Sequence, residues 1–269
     1  MELDRLRADA AALLGDGRAK MVIGFRARGE RRVPAFVTDP AGAADLVVDD
    51  ACTLNPAAYL RKSEVRRLRP VAIVARPAVM RSLVLLAAES QVTDADVVVL
   101  AVGPDTYHGI LDLAGAAALV REKYADLPRE AALLERIEAL AAMTADERAA
   151  FWTAEFAKCT RCYACRAACP GCYCTRCIVE RNTPQWISTA AARHGNYAWN
   201  VIRAFHQAGR CTECGACEAA CPQGIPLMLL GASIALGVER EFEAKAGCDL
   251  EAKPVIGSWA EDDGEEFIR

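Results

Sequence analysis

The chain has little that would send it to a membrane or to a nucleic acid. Its longest apolar runs, such as residues 97–102, fall far short of the ~20 residues a membrane-spanning helix needs. The formal net charge is −4, so no surplus of positive charge offers itself to a phosphate backbone or an anionic bilayer. The opening residues, MELDRLRADAAALLGDG, have no continuous apolar core and read as a charged amphipathic helix, not a secretory leader. The expectation is a cytoplasmic protein with no direct membrane insertion and no nucleic-acid partner. There is no low-complexity tract. A Gly-x-Gly-x-x-Gly fingerprint is also missing, which removes one common sign of dinucleotide binding.

Cysteine is what the chain has in excess. Of 13 cysteines, 11 fall between Cys159 and Cys221, a stretch of 63 positions (221 − 159 + 1). In a secreted chain such density would suggest disulfides; without a leader, metal or redox chemistry is the better reading. The other residues are ordinary globular material. With 269 residues, 53% of them hydrophobic and 25% charged, the chain can form one large domain or two modest ones.

Hydrophobic pattern predicts an α/β domain over residues 1–125. After the opening helix, residues 20–25 (KMVIGF) and 32–37 read as short strands around a Gly-containing turn. Residues 71–75 (VAIVA) and 96–102 (DVVVLAV) read as buried strands, the second ended by Gly103-Pro104. Between them Pro77 opens a helix, as proline can at the first helical position, and the strand–helix–strand order predicts a parallel pair. Residues 126–158 form a helical linker of one or two helices, with Thr144 as a cap between them. An α+β ferredoxin-like dicluster domain with a helical insert is expected over 159–235, and a C-terminal tail over 236–269. In that tail the run EDDGEE (261–266) reads as a solvated or docking end, and the isolated Cys248 as a free thiol.

Two cysteine quartets carry the chemistry. Cys159, Cys162, Cys165 and Cys169 precede Pro170; Cys211, Cys214, Cys217 and Cys221 precede Pro222. Both follow C-x2-C-x2-C-x3-C-P, the run of bacterial two-cluster ferredoxins, in which the fourth cysteine ligates the other cluster. Three closely spaced thiolates wrap a loop around one cube. The fourth is expected at the start of a helix pointing away, with proline preventing a fold back onto its own loop. Cluster one is therefore assigned to Cys159, Cys162, Cys165 and Cys221, and cluster two to Cys211, Cys214, Cys217 and Cys169. Structural zinc uses Cys-x-x-Cys pairs separated by a dozen or more residues, a different pattern. Ala164, Ala168, Gly215, Ala216 and Ala220 let the backbone approach a cube, and Ile225-Pro226-Leu227 would cover one from water. In the insert, Trp186 and Trp199 read as packing residues, and His194 and His206 as hydrogen-bonded side chains.

Directly after the first quartet come Cys172, Cys174 and Cys177. Two readings stand. They are small buried side chains, or they are three ligands of a third 4Fe–4S cluster or another metal. In the second case Cys52, the only cysteine of the α/β domain, is the candidate fourth ligand.

CTRCYACRAACPGCYCTRC and RAFHQAGRCTECGACEAACPQGIPL resemble the iron–sulfur subunits related to the coenzyme F420-reducing hydrogenase beta subunit. KMVIGF, CTLNPAAYL, VAIVARPAVMRS and ADVVVLAV are similar to the same family in the same order. The resemblance implies an electron-transfer subunit of a redox complex, alongside a flavoprotein, hydrogenase, formate dehydrogenase or heterodisulfide reductase-like partner, with no catalytic residue of its own. It implies as an alternative an FAD-containing oxidoreductase subunit acting on a deazaflavin or nicotinamide carrier. One departure stands out: where the resemblance leads one to expect Gly-Cys-Asp after VAIVA, this chain has Pro77-Ala78-Val79.

Overall fold

In the computed structural model, which describes residues 2–180 and 183–256, the first part of the chain builds a sheet between two helical layers. Helix α1 (Leu3–Gly15) buries Leu6, Ala10 and Leu13, spaced to lie on one face. Strands β1 (Met21–Arg28) and β2 (Arg31–Val37) form an antiparallel hairpin, and the short β3 (Leu46–Val47) pairs with β1 at Phe25 and Arg26. The one-turn helix α2 (Ser63–Arg66) leads into β4 (Val71–Ala75), α3 (Pro77–Ala88) and β5 (Val97–Val102). Strand β6 (Tyr107–Leu111) and α4 (Leu113–Leu119) follow, and one π-turn, Val120–Tyr124, extends the helix. The sheet order is β2-β1-β4-β5-β6; β1, β4 and β5 are parallel and β6 runs antiparallel to β5.

Every residue of β4 is buried, as expected for a parallel strand covered on both faces. Alternation divides its side chains. Val71, Ile73 and Ala75 join Met80, Leu83 and Ala116 of α3 and α4 in one core. Ala72 and Val74 join Leu6, Ala10 and Leu13 of α1 in the other. The anticipated strands and the Pro77-opened helix are all present; β6 was not anticipated, since Tyr-His-Gly-Ile-Leu shows no clean period of two.

The rest of the described chain is helical: α5 (Ala131–Ala142), α6 (Ala145–Ala157), α7 (Ala164–Ala168), α8 (Arg193–His206), α9 (Ala216–Ala219) and α10 (Leu227–Phe242). Thr144 caps α6 in a full capping box: its hydroxyl accepts from the Glu147 amide at 3.3 Å, and its own amide donates to the Glu147 carboxylate at 2.8 Å. Among the described residues of 159–235 there is no strand, so the α+β expectation is corrected to an all-helical arrangement. The cysteine runs offer small residues and tight turns where a strand needs alternating apolar ones. Ile137 and Leu140 of α5 pack on Leu229 and Ala232 of α10, so the segment before the cysteines is not a bare tether.

Beyond Phe242 the chain returns to the sheet region. Arg81 donates to the Ala246 carbonyl at 3.0 Å, and Cys248 and Leu250 lie against the α3–α4 core. Cys248 is thus a packed thiol. Residues 261–266 lie outside the described residues. No helix among the described residues is long and apolar enough to cross a membrane.

Candidate metal centres

The two cysteine loops adopt the same backbone. Arg161 and Tyr163 in the first have φ of 59° each; their equivalents Glu213 and Gly215 in the second have 56° and 71°. Left-handed conformation is costly for residues as large as Arg and Tyr, and such strain persists where the surroundings impose it. Successive left-handed turns aim backbone amides into the loop, the arrangement that favours an anion; Arg161 N–H reaches Cys159 Sγ at 3.4 Å. The third cysteine of each run is the second residue of a single helical turn, α7 or α9. The fourth lies at the end of that turn, Cys169 as the C-cap of α7 and Cys221 just after α9. The expected placement at a helix start is thereby corrected: a three-residue gap is one helical turn, and it carries the fourth thiol away from its own loop. Helices α7 and α9 pack against each other.

Two cavities result. One is lined by Cys159, Cys162, Cys165 and Cys221, with Trp199 and Ile225 over them. The other is lined by Cys169, Cys211, Cys214 and Cys217. Each therefore receives three thiols from one quartet and the fourth from the other. Phe156, Ile225 and Leu227 form the buried apolar wall behind Cys159, Cys165, Cys217 and Cys221.

These surroundings fit 4Fe–4S clusters. Neither cavity has an Asp, Glu or His in its lining, so the soft cysteine sulfurs are the strongest metal donors each presents. Burial pushes the thiols of Cys211, Cys214 and Cys217 up, Cys217 to about 12, and neighbouring thiols add to the effect. Such a group of sulfurs is costly to ionise unless metal takes up the charge. A Cβ at Gly231 of α10 would stand 3.2 Å from Cys211 Sγ, so the helix approaches that thiol as glycine. Among the described residues no three His, Cys, Asp or Glu side chains could hold a single metal ion; thiolates around a cube sit on different irons and need no such convergence.

Sequence reasoning missed the helix that serves both cavities. On α8 and just beyond it, Asn196, Asn200, Arg203 and Gln207 recur at helical spacing and are all buried, while Phe205 on the same helix is exposed. Asn196 donates to the Cys159 carbonyl at 2.7 Å, and Gln207 donates to Cys172 Sγ at 3.4 Å. Arg203 reaches the Cys165 carbonyl at 3.4 Å. Burial disfavours its charge, but Cys169, Cys172, Cys165 and Cys217 around it outweigh burial and hold the guanidinium protonated. Its Nε has no hydrogen-bond partner among the described residues. A polar stripe at i, i+4, i+7 and i+11 in the insert was the available signal.

A second omission lies in the sheet region. Asn55, Ser82 and Thr212 are all buried. Asn55 Nδ2 donates to Ser82 Oγ at 2.9 Å, and the Ser82 and Thr212 hydroxyls lie 2.8 Å apart. Hydrogen bonds from Asn55 and Thr212 favour the ionised form of Cys214, against the larger effect of burial. Elsewhere the two regions are joined by Arg210 with Glu89, one contact of 2.7 Å, and by Arg61, which donates to the carbonyls of Arg166 at 3.1 Å, Ala167 at 2.9 Å and Cys172.

The proposed third set is not brought together. Cys52 is held by its own turn: its amide donates to the Asp49 carbonyl at 3.1 Å and its thiol lies 3.6 Å from the Asp49 carboxylate. Cys172 accepts from Gln207 at 3.4 Å, and Gln207 in turn lies 3.6 Å from Cys169; the Cys172 thiol helps draw Cys169 down to about 6. Cys174 is exposed, and Cys177 packs by Trp199 and Val179. Four side chains tied to four local environments do not form one ligand set. Of the insert residues, Trp199 is buried and packs as expected, whereas Trp186 is largely exposed, as are His194 and His206.

Residues 154–225 match the family described as "4Fe-4S dicluster domain". Over 106 residues the chain is 30% identical to "F420-dependent formate dehydrogenase subunit beta" of Methanocaldococcus jannaschii, covering 39% of this chain and 27% of that protein. It is 32% identical over 106 residues to "F420-dependent formate dehydrogenase 1 subunit beta" of Methanococcus maripaludis, with the same 39% and 27% coverage. The match thus spans about a quarter of the length of these relatives. The dicluster-domain match indicates two 4Fe–4S clusters.

Proposed function

We propose that the chain relays single electrons within a multi-subunit cytoplasmic redox complex of the formate dehydrogenase, hydrogenase or heterodisulfide reductase-like kind. The observation that carries this reading is the crossed lining of the two cavities, three thiols from one quartet and one from the other in each. Cys159, Cys162, Cys165 and Cys221 would hold one cluster, and Cys211, Cys214, Cys217 and Cys169 the other. Bound clusters supply one-electron chemistry. The chain's own residues fix the thiols, exclude water with Phe156, Ile225 and Leu227, and set a buried positive charge, Arg203, beside both sets.

Anaerobically prepared protein should contain about 8 irons per chain, four per cube. Cys169→Ser should disturb the cluster on Cys211, Cys214 and Cys217, and Cys221→Ser the one on Cys159, Cys162 and Cys165, read by cluster-resolved magnetic resonance. If each substitution affects only its own loop's cluster, the crossed assignment is wrong. Stoichiometric zinc in place of iron would overturn the whole reading.

A second reading is favoured by an open cleft where the start of α3 faces the second cysteine loop, lined by Cys214, by Glu130, Glu213 and Glu218, and by Arg129 and Lys245, both paired with carboxylates, alongside Arg81 and Arg136, which have no ion-pair partner among the described residues. It would suit an anionic FAD beside cluster two, giving an oxidoreductase subunit that acts on a deazaflavin or nicotinamide carrier. A flavin absorbance band in the purified protein separates this from the simple relay.

A further inference from the structure

The two exposed cysteines among the thirteen are Cys162 and Cys174. They line one shallow groove together with Arg61, Lys62, Arg166 and Tyr173. Cys162 is also part of the first cavity, whereas no cysteine of the second cavity is exposed. Electron tunnelling weakens steeply with distance, so the face at Cys162 is where a carrier from solution can come nearest to either set of thiols.

The segment that gives Arg61, Lys62 and Glu64 to the groove has a charge opposite to the whole chain. Residues 61–69 (RKSEVRRLR) hold five cations and one carboxylate, and with Arg69 paired to Asp96 at 2.8 Å the remaining net is +3 (4 − 1), in a protein whose net charge is −4. Lys62, Arg66, Arg67 and Arg176 are exposed, and none has an ion-pair partner among the described residues. Arg61 is satisfied by carbonyls, which leave its charge uncompensated. Arg166 is paired with Glu180, and Glu64 is the one carboxylate in the run, beside Arg67 and Lys62. The net charge of the whole chain hides this local reversal.

We propose that this groove is the docking face for an acidic one-electron carrier protein, with Cys162 at the point of exchange. Unpaired cations around an exposed, electron-bearing edge steer an oppositely charged partner and orient it. One electron passes between carrier and chain, the carrier being oxidised as the chain is reduced or the reverse; no bond is made or broken and no proton is required. The proposal rests on the assignment of Cys162 to a cluster.

The test uses the iron-loaded full chain and a small, strongly acidic plant-type ferredoxin as probe, with binding measured by calorimetry and electron exchange by stopped flow. Binding should be present at low salt and weaken steeply as salt rises. A Lys62→Glu, Arg66→Glu, Arg67→Glu, Arg176→Glu chain should bind at least ~10-fold more weakly in calorimetry and exchange correspondingly more slowly, with iron content unchanged. The neutral Lys62→Gln, Arg66→Gln, Arg67→Gln chain should lose part of the same affinity, and it decides the matter if the reversed chain does not fold. Wild type that fails to bind ferredoxin, or variants that bind it as well as wild type does, would overturn the proposal. So would a loss confined to binding of a single-stranded oligonucleotide. A chain short of about 8 irons would instead count against the relay reading itself.

Discussion

Removing the charge of Arg203 while keeping its bulk, as in Arg203→Met, should lower the reduction potentials of both clusters together. The guanidinium is buried, lacks a carboxylate partner among the described residues, and has Cys169, Cys172, Cys165 and Cys217 around it, so it belongs to both sulfur sets. Each added electron is a negative charge that this cation stabilises. At an effective dielectric of about 20 and separations of roughly 6–10 Å, the attraction is ~1.7–2.8 kcal/mol per electron. At ~59 mV per tenfold for a one-electron couple, that is a fall of roughly 70–120 mV in each potential. Redox titration followed by magnetic resonance reads both clusters in one sample. Arg203→Lys should stay close to wild type, because it preserves charge but not shape. Unchanged potentials in an Arg203→Met chain that retains its iron would refute the electrostatic role. A shift in one cluster alone would refute its being shared.

Ser82→Ala should destabilise the protein by ~1–3 kcal/mol in chemical denaturation, because it leaves Asn55 Nδ2 and the Thr212 hydroxyl buried without that partner. Thr144→Ala breaks the capping box of α6 and should cost about 1 kcal/mol, read as a lower denaturation midpoint with unchanged iron. Cys52→Ala should leave the iron content as it is, since the Cys52 thiol faces Asp49 and the Val47 carbonyl; loss of about a third of the iron would restore the three-cluster arrangement.

Much of the sheet region was legible because its burial follows simple periods. VAIVA had to be covered on both faces, and Pro77 had to open a helix. The cysteine quartets were legible because sulfur spacing is nearly the whole of their chemistry, although the fourth thiols lie at helix ends and not at the helix starts expected of them. What escaped were residues whose meaning depends on a distant partner. Asn55 looks like a turn residue until Ser82 and Thr212 arrive beside it. Asn196, Asn200, Arg203 and Gln207 look like the wet side of a helix, and only the nearness of the cysteine loops makes that side the inner one. Cys172 misled for the same reason: spacing showed three thiols in six positions but not that each would face a different neighbour.

The clamp made by Arg61 bears on whether the cysteine segment could be transplanted. Helix ends leave carbonyls that need donors, and the Arg166 and Ala167 carbonyls of α7 find one in a side chain more than a hundred positions earlier. Thr212, inside the second cysteine loop, likewise takes its hydroxyl partner from α3. A fragment cut to residues 154–225 would keep all eight quartet cysteines yet forfeit both borrowed partners, and it would lose α10 as well. In this protein the dicluster segment is not a removable cartridge. It depends on the sheet beside it, and grafting it elsewhere would require the host to supply a guanidinium and a hydroxyl at the same two places.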